Sequence, residues 1–225
     1  MTLKNYRMLF EFEEAGTAVR NTIIVVFVSA TATVLFSFAV SMVVVRSKFL
    51  GRRVLDQLAF IPHPMPGMVM ALAWVWVFLN FDFLPLYGTI WSICLAFMVN
   101  FMAYGTRSMN AAILQIHKEL EEAAYTSGAR PWRTTLKIFF PLMMPAFAGV
   151  WIWVALLASR IAGTPLMLAE GKDNMVLSIL IWQMWDWGHI GSVAAIGTLL
   201  ILALMVLTVS VRFLAFRRQS QIASQ

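Results

Sequence analysis

Residues 22–45 read Thr-Ile-Ile-Val-Val-Phe-Val-Ser-Ala-Thr-Ala-Thr-Val-Leu-Phe-Ser-Phe-Ala-Val-Ser-Met-Val-Val-Val, without one charged side chain. At about 1.5 Å per residue such a helix is longer than a hydrocarbon core of about 30 Å. Four more uncharged runs follow, at 57–81, 83–106, 138–159 and 190–211. The fold class read from them is all-α: a polytopic membrane helix bundle of five spans, forming one domain over residues 1–225. The stretch Asn174–Trp185 is too short to span and reads as a re-entrant or interfacial helix, with Trp182, Trp185 and Trp187 suited to the headgroup level. Residues 1–20 carry Glu11, Glu13 and Glu14 and no apolar core, so no signal peptide is read there.

Composition agrees. Of 225 residues, 60% are hydrophobic and only 12% charged, about half the charge of a typical soluble domain. Disorder, a disulfide-framed secreted domain and a collagen-like fibre are excluded. The one cysteine, Cys94, lies inside an apolar run and has no internal partner. The net charge of +6 invites nucleic acid until the positions of Lys and Arg are considered. Arg46, Lys48, Arg52, Arg53, Arg107, Lys118, Arg130, Arg133, Lys137, Arg212, Arg217 and Arg218 fall on one side of the spans. Lys4, Arg7, Arg20, Arg160 and Lys172 fall on the other. Positive charge favours the cytoplasm, which puts the N-terminus outside and the C-terminus inside. Topology thus accounts for the charge, and nucleic acid is not an expected partner.

The long cytoplasmic loop, about 107–137, is the most specific segment. Residues 114–133 read Leu-Gln-Ile-His-Lys-Glu-Leu-Glu-Glu-Ala-Ala-Tyr-Thr-Ser-Gly-Ala-Arg-Pro-Trp-Arg. Leu120 to Ser127 favours helix, Gly128 suits a left-handed position just past its end, and Pro131 suits the first turn of a second helix. Two short helices meeting at a sharp bend make a knuckle shaped to enter a partner's groove.

Glu122-Ala123-Ala124, three residues, Gly128, nine residues, Ile138 and then Pro141 resemble the EAA loop of binding-protein-dependent ABC transporter permeases. Phe140 stands where that family usually has Leu. The resemblance covers about residues 5–216. Asn5-Tyr6, Ile61-Pro-His-Pro-Met-Pro-Gly67, Pro141-Leu-Met-Met-Pro145-Ala and Gln183-Met-Trp-Asp-Trp-Gly188 are similar to the iron(III) branch, which also includes permeases for phosphonates, thiamine and polyamines. Larger members carry a sixth span ahead of the region like residues 5–20, so the resemblance leaves a minimal permease or a chain lacking its first helix.

This resemblance implies a coupling helix that docks into a cleft of a cytoplasmic ATP-binding subunit, with Glu122, Ala123, Ala124, Gly128, Arg130, Ile138 and Pro141 as the coupling residues. It also implies a second permease subunit, identical or homologous, a periplasmic substrate-binding protein, surrounding lipid, and a place in the bacterial inner membrane. Ferric iron is the first substrate expected; phosphonate, thiamine and polyamine are the alternatives, with the binding protein carrying most of the selectivity. The chain is not expected to be an enzyme. A phosphate-cradling loop needs Gly, four residues, Gly-Lys and Ser/Thr; here Gly171-Lys172 is followed by Asp173, with Leu166 in place of the first glycine.

Other residues have two readings. His63, Pro64, Pro66 and Gly67 interrupt the second run, where freed carbonyls could line a substrate path or the kink could simply pack on a neighbour. Arg160, Glu170 and Lys172 could touch the binding protein or be ordinary solvated charges. Asp56 lies near Arg52 and Arg53 and reads as part of a snorkelling ion pair. His117 reads as solvated. Asp186 with His189 offers two metal ligands without a third, and the 15 methionines form no regular array and read as core filling. No metal site or cofactor is expected. A stand-alone channel would favour a charged residue inside a span, and an embedded enzyme would need clustered His, Asp or Glu; the sequence offers neither.

Overall fold

The computed structural model describes residues 12–223. Lys4, Asn5, Tyr6, Arg7 and Glu11 lie outside them, as do the side chains of Pro131, Arg212, Arg217 and Arg218. The first helix, α1, runs unbroken over Glu13–Arg46. It contains the whole 22–45 run and, at 34 residues, measures about 51 Å. Glu13 and Glu14 occupy its first turn and Arg46 its last, signs that match the positive and negative ends of the helix dipole.

Ser29, Thr33, Ser37 and Ser41 recur every fourth residue along α1 and are fully buried. This small-residue stripe lets α4 (Ile90–Leu114) approach closely. At Gly105 on α4 an added Cβ would overlap Ser37 Oγ and stand 2.9 Å from Ser37 Cβ. Ser41 Oγ donates to the Thr106 carbonyl at 3.2 Å. On the neighbouring face of α1 lies α8 (Met144–Arg160). Trp151 Nε1 donates to Thr31 Oγ1 at 3.1 Å, and the rings of Phe38 and Phe147 meet edge to face at 5.1 Å.

Proline breaks two of the expected spans. The run at 57–81 is divided between α2 (Arg52–Phe60) and α3 (Gly67–Asn80). Pro62, Pro64 and Pro66 lack backbone donors, so a continuous helix cannot be hydrogen-bonded through them, and 61–66 forms turns. The 14 residues of α3 cover about 21 Å, less than the hydrocarbon core. Before α8, α6 (Pro131–Thr134), a π-helical turn (Thr135–Phe139) and α7 (Phe140–Leu142) follow one another. That segment meets α8 at 67°; Pro141 and Pro145 remove the hydrogen bonds that would have kept it straight.

The third run also differs from its expected bounds: 83–89 forms turns, and α4 continues to Leu114, making residues 107–114 helix rather than loop. Met109 and Ile113 are fully buried one turn apart, and that apolar face carries the helix on. The chain then passes through α5 (Lys118–Thr126), described below, and beyond α8 through α9 (Gly163–Leu168), α10 (Leu177–Asp186) and α11 (Ile190–Ala223). The short helix expected at 174–185 is α10. Among the described residues, α1 and Ile190–Val211 are each long and apolar enough to cross a membrane, and the bent pair around Met143 makes a third if counted as one span. An isolated bridge joins Gly88 to Ala169; everything else regular among the described residues is helical.

Candidate coupling surface

The knuckle begins where α4 ends. Gln115–His117 turns the chain, and α5 leads to a glycine-terminated bend. Gly128 has φ +78°. Its N–H donates to the Tyr125 carbonyl at 2.9 Å, and the Ala129 N–H donates to the Ala124 carbonyl at 3.0 Å. This pair of bonds is a Schellman closure, which satisfies the last carbonyls of α5 and needs a left-handed residue. The Arg130 carbonyl then accepts from the Arg133 and Thr134 N–H groups at 2.9 and 3.1 Å, starting α6. The sequence reading of this bend and the structure agree.

No residue of α5 is buried. Glu122, Ala123, Gly128 and Arg130 are exposed and Ala124 is half-buried. Leu120, Tyr125, Trp132 and Leu136 add large exposed apolar surface beside these charges. The arrangement has the mixed character of a docking face. Ile138 and Pro141, both half-buried, are not on this face; they belong to the π-helical turn and α7 that lead into the bend before α8.

One side chain ties the knuckle to the bundle. Arg46, the last residue of α1, is only 8% exposed. Its Nη2 donates to the Ile113 and Ile116 carbonyls at 2.9 and 2.5 Å, and Nη1 stands 3.7 Å from Glu121 Oε2. The guanidinium lies over the Phe139 ring at 5.2 Å. In the sequence Arg46 is one of four cations in 46–53, and only its place at the last turn of the first apolar run sets it apart. On α5 itself the Tyr125 hydroxyl donates to Glu121 Oε1 at 2.9 Å, which raises the phenol's pKa above its ordinary value.

The opposite end of α1 is clasped as well. Asn21 is buried and its Nδ2 donates to the Asp173 and Met175 carbonyls at 2.7 and 2.9 Å. Thr22 Oγ1 accepts from the Leu177 N–H at 2.8 Å. Lys172 Nζ lies 2.5 Å from Glu14 Oε1; that hydrogen bond lowers the Glu14 pKa and raises that of Lys172. Lys172 is therefore committed to an internal pair, while Arg160 and Glu170 are exposed at the same end. His63, Pro64, Pro66 and Gly67 sit together, exposed, on the 61–66 turn and the start of α3, with the His63 ring 5.3 Å from that of Phe60. Asp56 is paired, but across helices: Arg107 Nη1 and Asn110 Nδ2 reach it at 3.1 and 3.3 Å, because α4 packs against α2 on that side. Asp186 and His189 stand without a third ligand, and no group of three His, Cys, Asp or Glu occurs among the described residues.

The family described as "Binding-protein-dependent transport system inner membrane component" matches residues 33–220. The chain belongs to that family. Similar proteins include the ferric transport system permease protein FbpB of Actinobacillus pleuropneumoniae, 27% identical over 92% of this chain and 30% of that protein. The putative FbpB 1 of Haemophilus influenzae is 31% identical over 65% of this chain and 23% of its own length. A probable sulfate transport system permease protein, cysT of Nephroselmis olivacea, is 25% identical over 83% and 70%. This chain thus spans less than a third of the length of the two FbpB relatives named above. Its fold is shared with the bacterial transporter involved in alginate import, with a TM-score of 0.77 at 17% identity over 96% of this chain and 84% of the other. The inward-facing MetNI methionine transporter gives 0.66 at 17% identity over 96% and 97%.

Proposed function

We propose that this chain is the membrane subunit of an ATP-driven importer, crossing the bacterial inner membrane five times with its N-terminus outside. The knuckle at 115–130 docks into a separate ATP-binding subunit through Glu122, Ala123, Ala124, Gly128 and Arg130. Ile138 and Pro141 act behind that face, setting the direction in which the chain re-enters the bundle. A second permease subunit, identical or homologous, completes the translocation path, to which the turn at His63, Pro64, Pro66 and Gly67 contributes. A periplasmic binding protein delivers the solute at the outer end, near Arg160 and Glu170, with Lys172 held back by Glu14. The observation that carries this reading is an exposed, glycine-closed helix projecting from an otherwise apolar bundle of the matching family.

ATP-driven closure of the partner moves the knuckle, and the spans follow. Coupling of this kind is reciprocal, so arrival of loaded binding protein outside accelerates ATP hydrolysis inside. Equal hydrolysis rates with and without loaded binding protein, in reconstituted membranes, would refute the mechanism. Ferric iron is the substrate favoured by the FbpB relatives. Sulfate, which sequence reading did not raise, is a second reading, supported by the match to cysT over most of both chains. Uptake of radiolabelled ferric iron and of radiolabelled sulfate in cells lacking the gene separates them: iron uptake is expected to collapse, and loss of sulfate uptake alone would transfer the assignment.

A further inference from the structure

Arg46 meets the knuckle on both its sides. It donates to the Ile113 and Ile116 carbonyls, where the chain leaves α4; it faces Glu121 on α5; and it covers the Phe139 ring, where the chain returns toward α8. One planar cation at the inner end of α1 therefore gathers three other segments. Only arginine offers several donors in a rigid fork together with a face that stacks on an aromatic ring. Burial keeps the contacts strong, and the cation neutralises the negative end of α4. The outer end of α1 is held by Asn21, Thr22 and Glu14 to residues 172–177. No proline or glycine interrupts the helix between Asn21 and Arg46.

We infer that Arg46 is the positioning residue that makes the knuckle and α1 move as one body, so that displacement of the docked knuckle reaches the outer segment 172–177 along a single helix. This rests on the proposal that the knuckle docks the ATP-binding subunit, but it makes a separate claim about this chain's interior. Cys94, the native cysteine, is buried, which leaves exposed positions open to selective spin labelling.

The test places labels at Ala39→Cys on α1 and Ser127→Cys on the knuckle, both exposed, in the purified complex of this chain with its partner subunits. The distance distribution is read together with uptake of radiolabelled ferric iron and sulfate and membrane abundance. The expected result is one narrow distribution for the native sequence, at least twofold broader in Arg46→Gln, with uptake down fivefold or more at unchanged abundance. Arg46→Lys, which keeps the charge but not the fork, should fall between the two. Glu121→Gln, a half-buried change on α5, where no residue is fully buried, should broaden the distribution as well. A distribution as narrow as the native one in Arg46→Gln overturns the inference. So does loss of abundance in Arg46→Gln with an unchanged distribution in Glu121→Gln. If Arg46→Gln broadens the distribution while Glu122→Lys leaves uptake intact, the joint stands and the docking assignment fails.

Discussion

Gly128 sets a conformational switch point whose cost can be worked out from geometry. Its φ of +78° is one where a Cβ costs about 1–2 kcal/mol. A Cβ built there meets nothing within 4 Å, so Gly128→Ala carries that cost alone. Gly128→Val adds a β-branched side chain, which narrows the backbone choices further. The Gly128 and Ala129 hydrogen bonds, each worth about 1 kcal/mol net, oppose departure from the left-handed turn and offset part of that cost. Apparent affinity falls with the fraction of molecules in the docking conformation, and about 1.4 kcal/mol is a factor of ten. The partner ATP-binding subunit should therefore bind up to about 5–30-fold more weakly to Gly128→Ala, and more weakly to Gly128→Val than to Gly128→Ala. Gly128 is exposed, so membrane abundance and melting temperature should not change. The assay is a titration of the chain in lipid nanodiscs with the purified ATP-binding subunit. Native affinity in Gly128→Val would refute the docking assignment for this bend.

Three further outcomes are expected. Gly105→Leu should destabilise the α1–α4 crossing by at least about 1–3 kcal/mol, seen as a lower melting temperature in detergent; Gly105→Ala should be partly rescued by Ser37→Gly, since Ser37 is what the new Cβ strikes. Glu122→Lys should leave melting unchanged but slow association with the ATP-binding subunit, an effect that shrinks as salt rises; identical association rates would remove Glu122 from the docking face. The Glu14 pKa lies below its ordinary value of 4.5, so the stabilisation from its pairing with Lys172 is complete above that value and disappears as pH falls through the lowered pKa. The Lys172 pKa is raised above 10.5, so the alkaline limit lies above that and neutral pH sits on a plateau. Melting curves across the acid range should show a step that Lys172→Gln abolishes.

Fold class was legible because long uncharged runs leave a chain few alternatives to a membrane helix. The local stops were legible too: Gly128 does close α5, and Pro62, Pro64 and Pro66 do break the second run. Exact helix ends were not. Arg107 ends the third uncharged run at Thr106, but it is accommodated by Asp56 and by the Phe60 ring, and the helix continues to Leu114. A charge ends an apolar run in sequence, yet it ends a helix only when nothing nearby can accept it. The same holds for Pro141, whose effect depends on Pro145 and on how α8 packs against Phe38.

The knuckle's own residues could be read because their signals are local: a turn glycine, a helix-starting proline, alanines on one short helix. Its attachment could not. Arg46 bonds to carbonyls 67 and 70 residues away, and Asn21 to carbonyls 152 and 154 residues away. Carbonyls exist at every position, so no sequence pattern marks which ones a side chain will reach; only the packing of α1 against α4 and the 172–177 segment decides it. What the sequence does offer is the placement of polar groups at both ends of an uncharged run, Asn21 at one and Arg46 at the other. In water such groups would be unremarkable solvated ends. In a bundle where α1 is enclosed along its small-residue stripe, Asn21 and Arg46 are drawn inside with it, and each must find buried partners or leave polar atoms unpaired. The burial of the helix therefore turns Asn21 and Arg46, the polar residues that bracket its uncharged run, into two of its fastenings.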